Sequence, residues 1–278
     1  MLFCYRFVQS YNAYYDIRQT IQSSISAKVT KVTPNLKARN PSYLLSLTLS
    51  PFLRAEHQTL HKKPHYTSSA QLTNQHTVTD LEGANLLALI NFPRKQIGPR
   101  MSDCLVTGVL PMDVEPEVKR ANTFFVRPWI PDTALEGFKG VEPGERVCII
   151  PGEDKLVATN PRDLTWEEFT QIHINVGKVE GVHKSTLSKQ DGMLQAVPLD
   201  VNFGDKIGKK LALLWLRANS LDVEQLMGRQ ILAVTNLAVG LNNEAANWFE
   251  RDAAAVLTVN GKTVLEPAKE TEIGYSLA

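Results

Sequence analysis

The sequence predicts a mainly β protein in which two five-stranded barrels, each with short helices, follow one another along the chain. Three observations favour this fold class. Short runs rich in β-branched residues recur throughout the 278 residues, helical signals are few, and part of the chain repeats itself. A chain of this length also exceeds one small domain and is sufficient for two.

The internal repeat fixes the predicted domain organisation. At an offset of 145 residues, seven of the 18 positions from Asn74 to Asn91 are identical to those from Asn219 to Asn236. Residues 151–162 between the copies are rich in turn formers. A weaker match, at an offset of 150 residues, aligns Ala27 to Val32 with Gly177 to Val182, and Leu44 and Leu49 with Leu194 and Leu199.

We therefore predict a first barrel domain at residues 25–150, a linker at 151–162 and a second barrel domain at 163–278. Residues 1–24 contain a single acid and are too polar for a secretory signal, so we interpret them as a terminal extension. An organellar transit peptide is the alternative, and it would direct the chain to mitochondria instead of the cytoplasm.

Each copy has strand signals in the same order. The first run is rich in β-branched residues, a second strand follows it, and the third is a continuous apolar run, as expected for a strand buried on both sides. Asn260-Gly261 predicts a type I′ hairpin, because both residues tolerate a positive φ. The predicted strands are Ile25–Val32, Tyr43–Leu49 and Leu86–Phe92 in the first copy, and Ile174–Val182, Met193–Val201, Gln230–Leu237, Ala254–Val259 and Lys262–Leu265 in the second.

Short helices are predicted at residues 77–82 and 222–227, each stopped by a following glycine. Thr165 and Glu168 form a capping-box pattern that begins another helix. About five strands and one or two short helices within roughly 115 residues are typical of a small closed barrel of the OB kind.

Composition excludes several classes of protein. Hydrophobic residues make up 43% and charged residues 21%, so wholesale disorder and a collagen-like structure are excluded. The formal net charge is +1, so binding of nucleic acid would require a local basic patch. No apolar run reaches the roughly 18 residues of a membrane helix. Cys4, Cys104 and Cys148 form no CxxC pair, which argues against a disulfide framework and favours a reducing compartment.

No catalytic motif is complete. The sequence contains no GxSxG, HExxH or GxGxxG pattern, and Gly261 lacks the earlier glycine of a phosphate loop. His57, His61 and His65 are spaced like a metal-binding face, but Pro64 interrupts any helix there. We therefore expect a protein that is not an enzyme and that binds neither a cofactor nor a metal.

One segment resembles a known family. Residues 91–108, NFPRKQIGPRMSDCLVTG, resemble the signature of the tRNA-binding OB-fold domain, in particular its CsaA-type branch. This resemblance implies a five-stranded OB barrel that binds tRNA or structured RNA without catalysis. Members of this branch are also described as chaperones for exported polypeptides and work as homodimers. Supporting similarities occur at residues 68–73, 81–83, 141–147, 166–169, 174–179 and 226–237.

Two copies in one chain predict an intrachain pseudo-dimer, and hence a monomer in solution. In the first copy, Arg94, Lys95 and Arg100 place three cations within seven residues on a turn rich in Pro and Gly. Arginine suits bidentate phosphate contacts and lysine suits point-charge contacts. An ordinary solvated loop is the alternative. The predicted RNA-binding residues are Lys63, Ser68, Ser69, Gln71, Asn91, Arg94, Lys95, Gln96, Arg100 and Ser102.

The second copy lacks these features. It has Leu213 to Leu216 where the first copy has Ser68 to Gln71, and no basic run follows Asn236. We expect it to be a degenerate partner that completes the pseudo-dimer.

Binding of polypeptide is the competing function, as a chaperone or as a docking subunit for an aminoacyl-tRNA synthetase. The near-neutral charge and the apolar Trp215, Trp248 and Phe249 favour it. A chain with neither activity is the third interpretation. Salt separates the first two functions, because phosphate contacts weaken steeply as salt rises and apolar contacts do not.

Overall fold

A computed structural model describes residues 24–35, 37–49, 65–97, 100–131, 140–149, 165–183, 187–189, 194–218, 220–236 and 253–278. The protein is mainly β, with barrel-shaped sheets and few short helices, which confirms the predicted fold class. The predicted linker and all of the predicted extension except Ser24 lie outside the described residues. Within the described segments, no helix has the length and apolar character needed to cross a membrane.

The N-terminal half, residues 24–149, contains a nearly closed sheet of five strands, whose order is Tyr66–Ala70, Tyr43–Thr48, Ser24–Pro34, Asn85–Leu89 and Leu105–Val106. A separate two-stranded hairpin, Lys95–Ile97 with Arg100–Ser102, lies between the last two of these strands in the sequence. The strands of this half are β1 (Ser24–Pro34), β2 (Tyr43–Thr48), β3 (Tyr66–Ala70), β4 (Asn85–Leu89), β5 (Lys95–Ile97), β6 (Arg100–Ser102), β7 (Leu105–Val106), β8 (Gly108–Leu110), β9 (Phe124–Pro128) and β10 (Val147–Cys148).

The C-terminal half, residues 165–278, contains a closed five-stranded barrel. Its first strand pairs with two others, and a parallel bridge from Ala212 to Ala254 completes the ring. The strands of this half are β11 (Ile174–Val182), β12 (Leu187–Lys189), β13 (Leu194–Asn202), β14 (Lys209–Arg217), β15 (Gln230–Val234), β16 (Ala254–Val256), β17 (Thr258–Val259), β18 (Thr263–Pro267) and β19 (Ser276–Leu277).

Short helices connect these strands. The predicted helix at 77–82 is confirmed as α1 (Val78–Leu81), which begins with a capping box between Thr77 and Asp80. The helix predicted at 222–227 is a 3₁₀ helix, Val223–Leu226. The described residues also include the helices α2 (Pro116–Ala121) and α3 (Trp166–Thr170), and the side chain of Glu168 in the predicted capping box of α3 is not among those described.

The predicted hairpin turn at Asn260-Gly261 is also confirmed. Both residues have a positive φ, 50° and 66° respectively. The Lys262 N–H donates to the Val259 carbonyl at 2.9 Å, which closes the four-residue turn. This backbone geometry is that of the type I′ turn, which matches the right-handed twist of the flanking strands.

The same backbone hydrogen bonds occur in both halves at the bulge of the first strand. Gly83 N–H donates to the Val29 carbonyl and Gly228 N–H donates to the Val179 carbonyl, both at 2.9 Å. Both glycines have a positive φ, which explains why each helix stops there. The position of this bulge is therefore common to the two barrels.

The second strands align differently from the sequence comparison. Val29 lies opposite Leu47 and Val179 lies opposite Val201, so the matching positions are 154 residues apart. The ungapped sequence match predicts an offset of 150 residues for these strands, and that alignment is wrong. The difference arises because the segments that join the first and second strands differ in length, which ungapped matching ignores.

Strands from the two halves pair with one another. β9 pairs with β18, β8 with β19, and β10 with β17. Backbone hydrogen bonds between the two halves run in both directions. Trp129 N–H donates to the Val264 carbonyl at 2.9 Å, and Ala268 N–H donates to the Phe125 carbonyl at 2.8 Å.

Among the described residues, buried apolar side chains form three clusters. One fills the N-terminal barrel around Leu45, and a second fills the C-terminal barrel around Leu214. The third lies between the barrels and combines Leu89 of the N-terminal half with Trp215 of the C-terminal half. Trp129 comes from the N-terminal half yet packs in the cluster of the C-terminal barrel. Burial of these side chains therefore holds the two halves together as well as stabilising each barrel.

Candidate nucleic-acid interface

The segment with the predicted cations forms a β-hairpin. β5 and β6 pair antiparallel, with Lys95 opposite Ser102 and Ile97 opposite Arg100. The side chains of Lys95, Gln96 and Arg100 are exposed on this hairpin. Pairing restricts the backbone of the segment, so its cations are presented on an ordered surface.

A buried carboxylate anchors the base of the hairpin. Arg94 Nε donates to Asp103 Oδ1 at 2.7 Å, and 37% of the Arg94 side chain remains exposed. Thr67 of β3 donates to Asp103 Oδ2 through its backbone N–H at 3.2 Å and lies 2.9 Å from it through Oγ1. The Asp103 N–H in turn donates to the Thr67 carbonyl at 2.7 Å. The hairpin is thereby fixed to the edge strand of the barrel.

A second set of hydrogen bonds connects the hairpin to the loop between β1 and β2. Ser69 N–H donates to Ser102 Oγ at 3.3 Å. Ser69 Oγ lies 3.2 Å from Ser42 Oγ and accepts from Asn35 Nδ2 at 3.3 Å. These contacts bring the 35–42 loop toward the same end of the barrel as the hairpin.

The 35–42 loop adds two cations that the sequence analysis missed. Lys37 and Arg39 are both exposed in this loop. They were detectable as two basic residues in a turn-like segment between predicted strands, but nothing local indicated that this turn approaches the hairpin. We call Lys37, Arg39, Arg94, Lys95 and Arg100 the basic end of the N-terminal barrel.

The predicted polar donors lie mostly inside the protein. Ser68 is 1% exposed, and its Oγ accepts from the Val106 N–H at 3.3 Å, which joins the edge strands β3 and β7. Ser102 is also buried and donates to the Cys104 carbonyl at 2.8 Å. Asn91 is buried and Ser69 is half-buried. These hydroxyls therefore stabilise the barrel and its hairpin.

The predicted site residues thus fall into three groups. Gln71, Arg94, Lys95, Gln96 and Arg100 are exposed. The serines and Asn91 are wholly or partly buried, and Lys63 lies outside the described residues. The hairpin brings together the cations, whereas most of the hydroxyl donors are used in internal hydrogen bonds.

The thiol of Cys104, next to the anchoring Asp103, is unreactive at neutral pH. Burial raises the pKa of Cys104 to about 12, and the nearby negative charge of Asp103 acts in the same direction. A thiol with such a pKa stays protonated at neutral pH and is a poor nucleophile. In the segments described above, no group of three or more His, Cys, Asp or Glu side chains is arranged to hold a metal ion.

Cations of the C-terminal half are paired with acids. Lys209 Nζ lies 2.6 Å from Glu180 Oε2, and this lysine lowers the pKa of the Glu180 carboxyl. Lys206 Nζ lies 3.0 Å from Asp113 Oδ2. These pairs reduce the local positive potential around Lys206 and Lys209, as the Arg94–Asp103 pair does at the base of the hairpin.

The fold and this surface define a mainly β, barrel-containing protein with a basic hairpin at the end of one barrel. No protein-family model matches the sequence, and no curated protein matches it. A CsaA chaperone protein from Picrophilus torridus is similar in structure with a TM-score of 0.31 and 23% identity, over 44% of this chain and 90% of that one.

Two further solved structures are similar to parts of the chain. The chaperone CsaA of Bacillus anthracis has a TM-score of 0.31 and 23% identity, over 39% of this chain and 82% of that one. The C-terminal domain of Plasmodium vivax p43 has a TM-score of 0.38 and 17% identity, over 70% of this chain and 87% of that one. At these values the similarity assigns no function to this protein.

Proposed function

We propose that the protein binds tRNA or another structured RNA without catalysis, through the basic end of its N-terminal barrel. The observation that carries this proposal is the anchored hairpin. Arg94 is held by a buried carboxylate, and Lys95 and Arg100 project from paired strands. Fixed cations bind phosphate with less loss of side-chain and loop entropy than cations on a free loop.

The chemistry of these residues suits recognition of the RNA backbone. A guanidinium can contact a phosphate through two N–H groups, and a lysine ammonium acts as a point charge. Contacts of this kind orient a nucleic acid without reading its sequence. The net charge of +1 is compatible with this function, because binding of nucleic acid needs only a local basic patch and the basic end carries five exposed cations.

We also propose that the chain is a tandem pair of related domains, residues 25–150 and 163–278, packed as an intrachain pseudo-dimer. The shared bulge at Val29 and Val179 and the reciprocal pairing of β9 with β18 support this proposal. The C-terminal domain then acts as the packing partner, and the N-terminal domain binds RNA. Sedimentation of the full-length protein as a single monomeric species is expected, and a stable dimer would contradict it.

The test of RNA binding is fluorescence anisotropy with labelled total tRNA at several salt concentrations. Changing Arg94, Lys95 and Arg100 to Ala should abolish most of the binding and reduce the salt dependence, whose log–log slope is roughly 0.7 to 0.9 per phosphate contact. The matched control changes Lys206, Lys209 and Lys210 to Ala, which removes the same charge from the other half. Equal losses in both variants, or no binding at low salt, would refute the proposal.

Binding of a polypeptide is the second candidate function. Met112, Val114 and Val118 are exposed apolar residues in and before α2, a helix without buried side chains. They offer a surface for an unfolded chain or for an aminoacyl-tRNA synthetase. Of the residues that first suggested this function, Trp215 is 1% exposed and is unavailable to a partner, and 248–249 lie outside the described residues.

Anisotropy with a labelled unfolded polypeptide tests this second function. Apolar contacts should give binding that changes little with salt and that weakens when Met112 and Val118 are changed to Ser. Salt-sensitive tRNA binding together with no polypeptide binding would support RNA binding and exclude polypeptide binding.

A further inference from the structure

An exposed tryptophan of the C-terminal half lies against the segment that carries the cations. Trp166, the first residue of α3, is 51% exposed. Its ring centroid lies 5.5 Å from that of Phe169 and 6.3 Å from that of Phe92. Phe169 is buried in the cluster between the barrels, and Phe92 packs against that cluster. The two rings hold the indole in place while about half of its side chain faces solvent.

The residue that Trp166 contacts, Phe92, is close to the basic hairpin in the sequence. Phe92 precedes Arg94 by two residues and Lys95 by three. Since an extended residue spans at most about 3.6 Å, the Cα atoms of Phe92 and Lys95 are no more than about 11 Å apart. Trp166 of the C-terminal half therefore lies near the start of the basic hairpin, which belongs to the N-terminal half.

We propose that Trp166 is a stacking platform for an unpaired base of the RNA whose phosphates the basic hairpin binds. This inference rests on the proposed RNA-binding function and specifies its ligand. Aromatic side chains stack on bases of any sequence, provided that the base is free of its duplex. A half-exposed indole beside cations supplies both parts of such a site. The ligand is accordingly an RNA that carries unpaired nucleotides next to a helical part.

Two labelled RNAs test the inference, a blunt-ended duplex and the same duplex with a short single-stranded overhang. Trp166→Ala should weaken binding of the overhang RNA roughly tenfold and leave binding of the blunt duplex unchanged. Trp166→Phe should retain most of the affinity, because it keeps an aromatic ring. Met227→Ala is the control, since Met227 is 48% exposed in the same half and lies in a different loop.

Tryptophan fluorescence gives a second measurement that does not depend on the alanine variant folding. Trp129 and Trp215 are buried, and Trp248 lies outside the described residues, so the measurement uses a Trp248→Phe background. In that background, stacking on Trp166 should dominate any quenching by the overhang RNA. Trp166→Phe should remove that quenching. Persistent quenching in Trp166→Phe, or equal weakening of both RNAs by Trp166→Ala, would overturn the inference. Failure of the proposed function is distinct, because the wild-type protein would then bind neither RNA at low salt.

Discussion

Arg127 and Glu266 lie opposite each other in the strand pair that joins the two halves, and their side chains form an ion pair of 2.9 Å. The residues on either side of them are also paired, with Val126 opposite Pro267 and Pro128 opposite Leu265. In a symmetric antiparallel pair of two identical strands, the central residue of one strand would lie opposite the same residue of the other strand. Opposite charges at this position therefore favour pairing within one chain over pairing between identical strands.

Reversal of one of these charges should weaken the junction. Arg127→Glu places two carboxylates opposite each other and is expected to lower the free energy of unfolding by about 1 kcal/mol. Arg127→Glu combined with Glu266→Arg should restore most of that loss. Urea denaturation measures both effects. If the double variant is no more stable than the single one, the ion pair does not contribute to the pairing of β9 with β18.

Removal of the buried anchor should weaken RNA binding even though it removes a negative charge. Asp103→Ala leaves Arg94 and Thr67 without their acceptor and is expected to cost about 2 kcal/mol of stability. The loosened hairpin should then bind labelled tRNA less tightly in the anisotropy assay. Electrostatics alone predicts tighter binding of tRNA, because the variant has lost a negative charge. Tighter binding by the variant would therefore show that the anchor does not order the site.

Gly177 should not tolerate a side chain in the C-terminal barrel. A Cβ at Gly177 would lie 2.6 Å from Phe203 Cε1, and it would also meet Val201. Gly177→Ala is therefore expected to lower the free energy of unfolding by about 1–3 kcal/mol. The N-terminal barrel has Ala27 and Leu49 at the corresponding positions of its first strand pair.

Combining Gly177→Ala with Phe203→Leu reproduces the residue pair of the N-terminal barrel. The double variant should lose less stability than the sum of the two single variants, as measured by urea denaturation. Additive losses would mean that the two positions do not share the same space.

His76 should make the stability depend on pH below neutrality. Burial lowers its pKa from 6.5 to about 4; the charge of Lys269 acts in the same direction and that of Asp80 opposes it. The unfolded chain therefore binds a proton at this residue more readily than the native protein does. Stability is fully present above about pH 6.5 and falls by up to about 3 kcal/mol as the pH drops toward 4.

Urea denaturation at about pH 7.5 and about pH 5 checks this dependence. His76→Gln should reduce the difference between the two pH values, because glutamine does not titrate. His173→Gln is the matched control at an exposed histidine and should leave most of the difference in place. A wild-type pH dependence that survives in His76→Gln would assign it to other groups.

Local features of the fold were predictable from short stretches of sequence. The turn at Asn260-Gly261 and the glycines after the two short helices need a positive φ, which few residue types adopt. Strand Ile174–Val182 was predicted with its observed bounds, because it is rich in β-branched residues, which occupy both of its ends. Such features depend on the conformational preferences of neighbouring residues and therefore appear in the sequence itself.

The chemistry of the candidate site was predictable only in part. A run of cations between Pro and Gly indicated an exposed segment, and Arg94, Lys95 and Arg100 are indeed exposed. Ser68 and Ser102 have the same residue type as surface donors, yet their Oγ atoms join segments that are distant in the sequence. Whether a hydroxyl is free depends on which backbone N–H or carbonyl group is brought against it.

The sequence by itself determined the β class, the turns and the position of the basic segment. The tertiary structure decided that the 35–42 loop approaches the hairpin, that Trp166 packs against Phe92 near the start of the hairpin and that β9 pairs with β18. Backbone preferences act between neighbours in the chain and can be derived from the order of residue types. Contacts between distant segments depend on strand register and on how apolar surfaces pack, which are set by the cooperative burial of side chains from the whole chain.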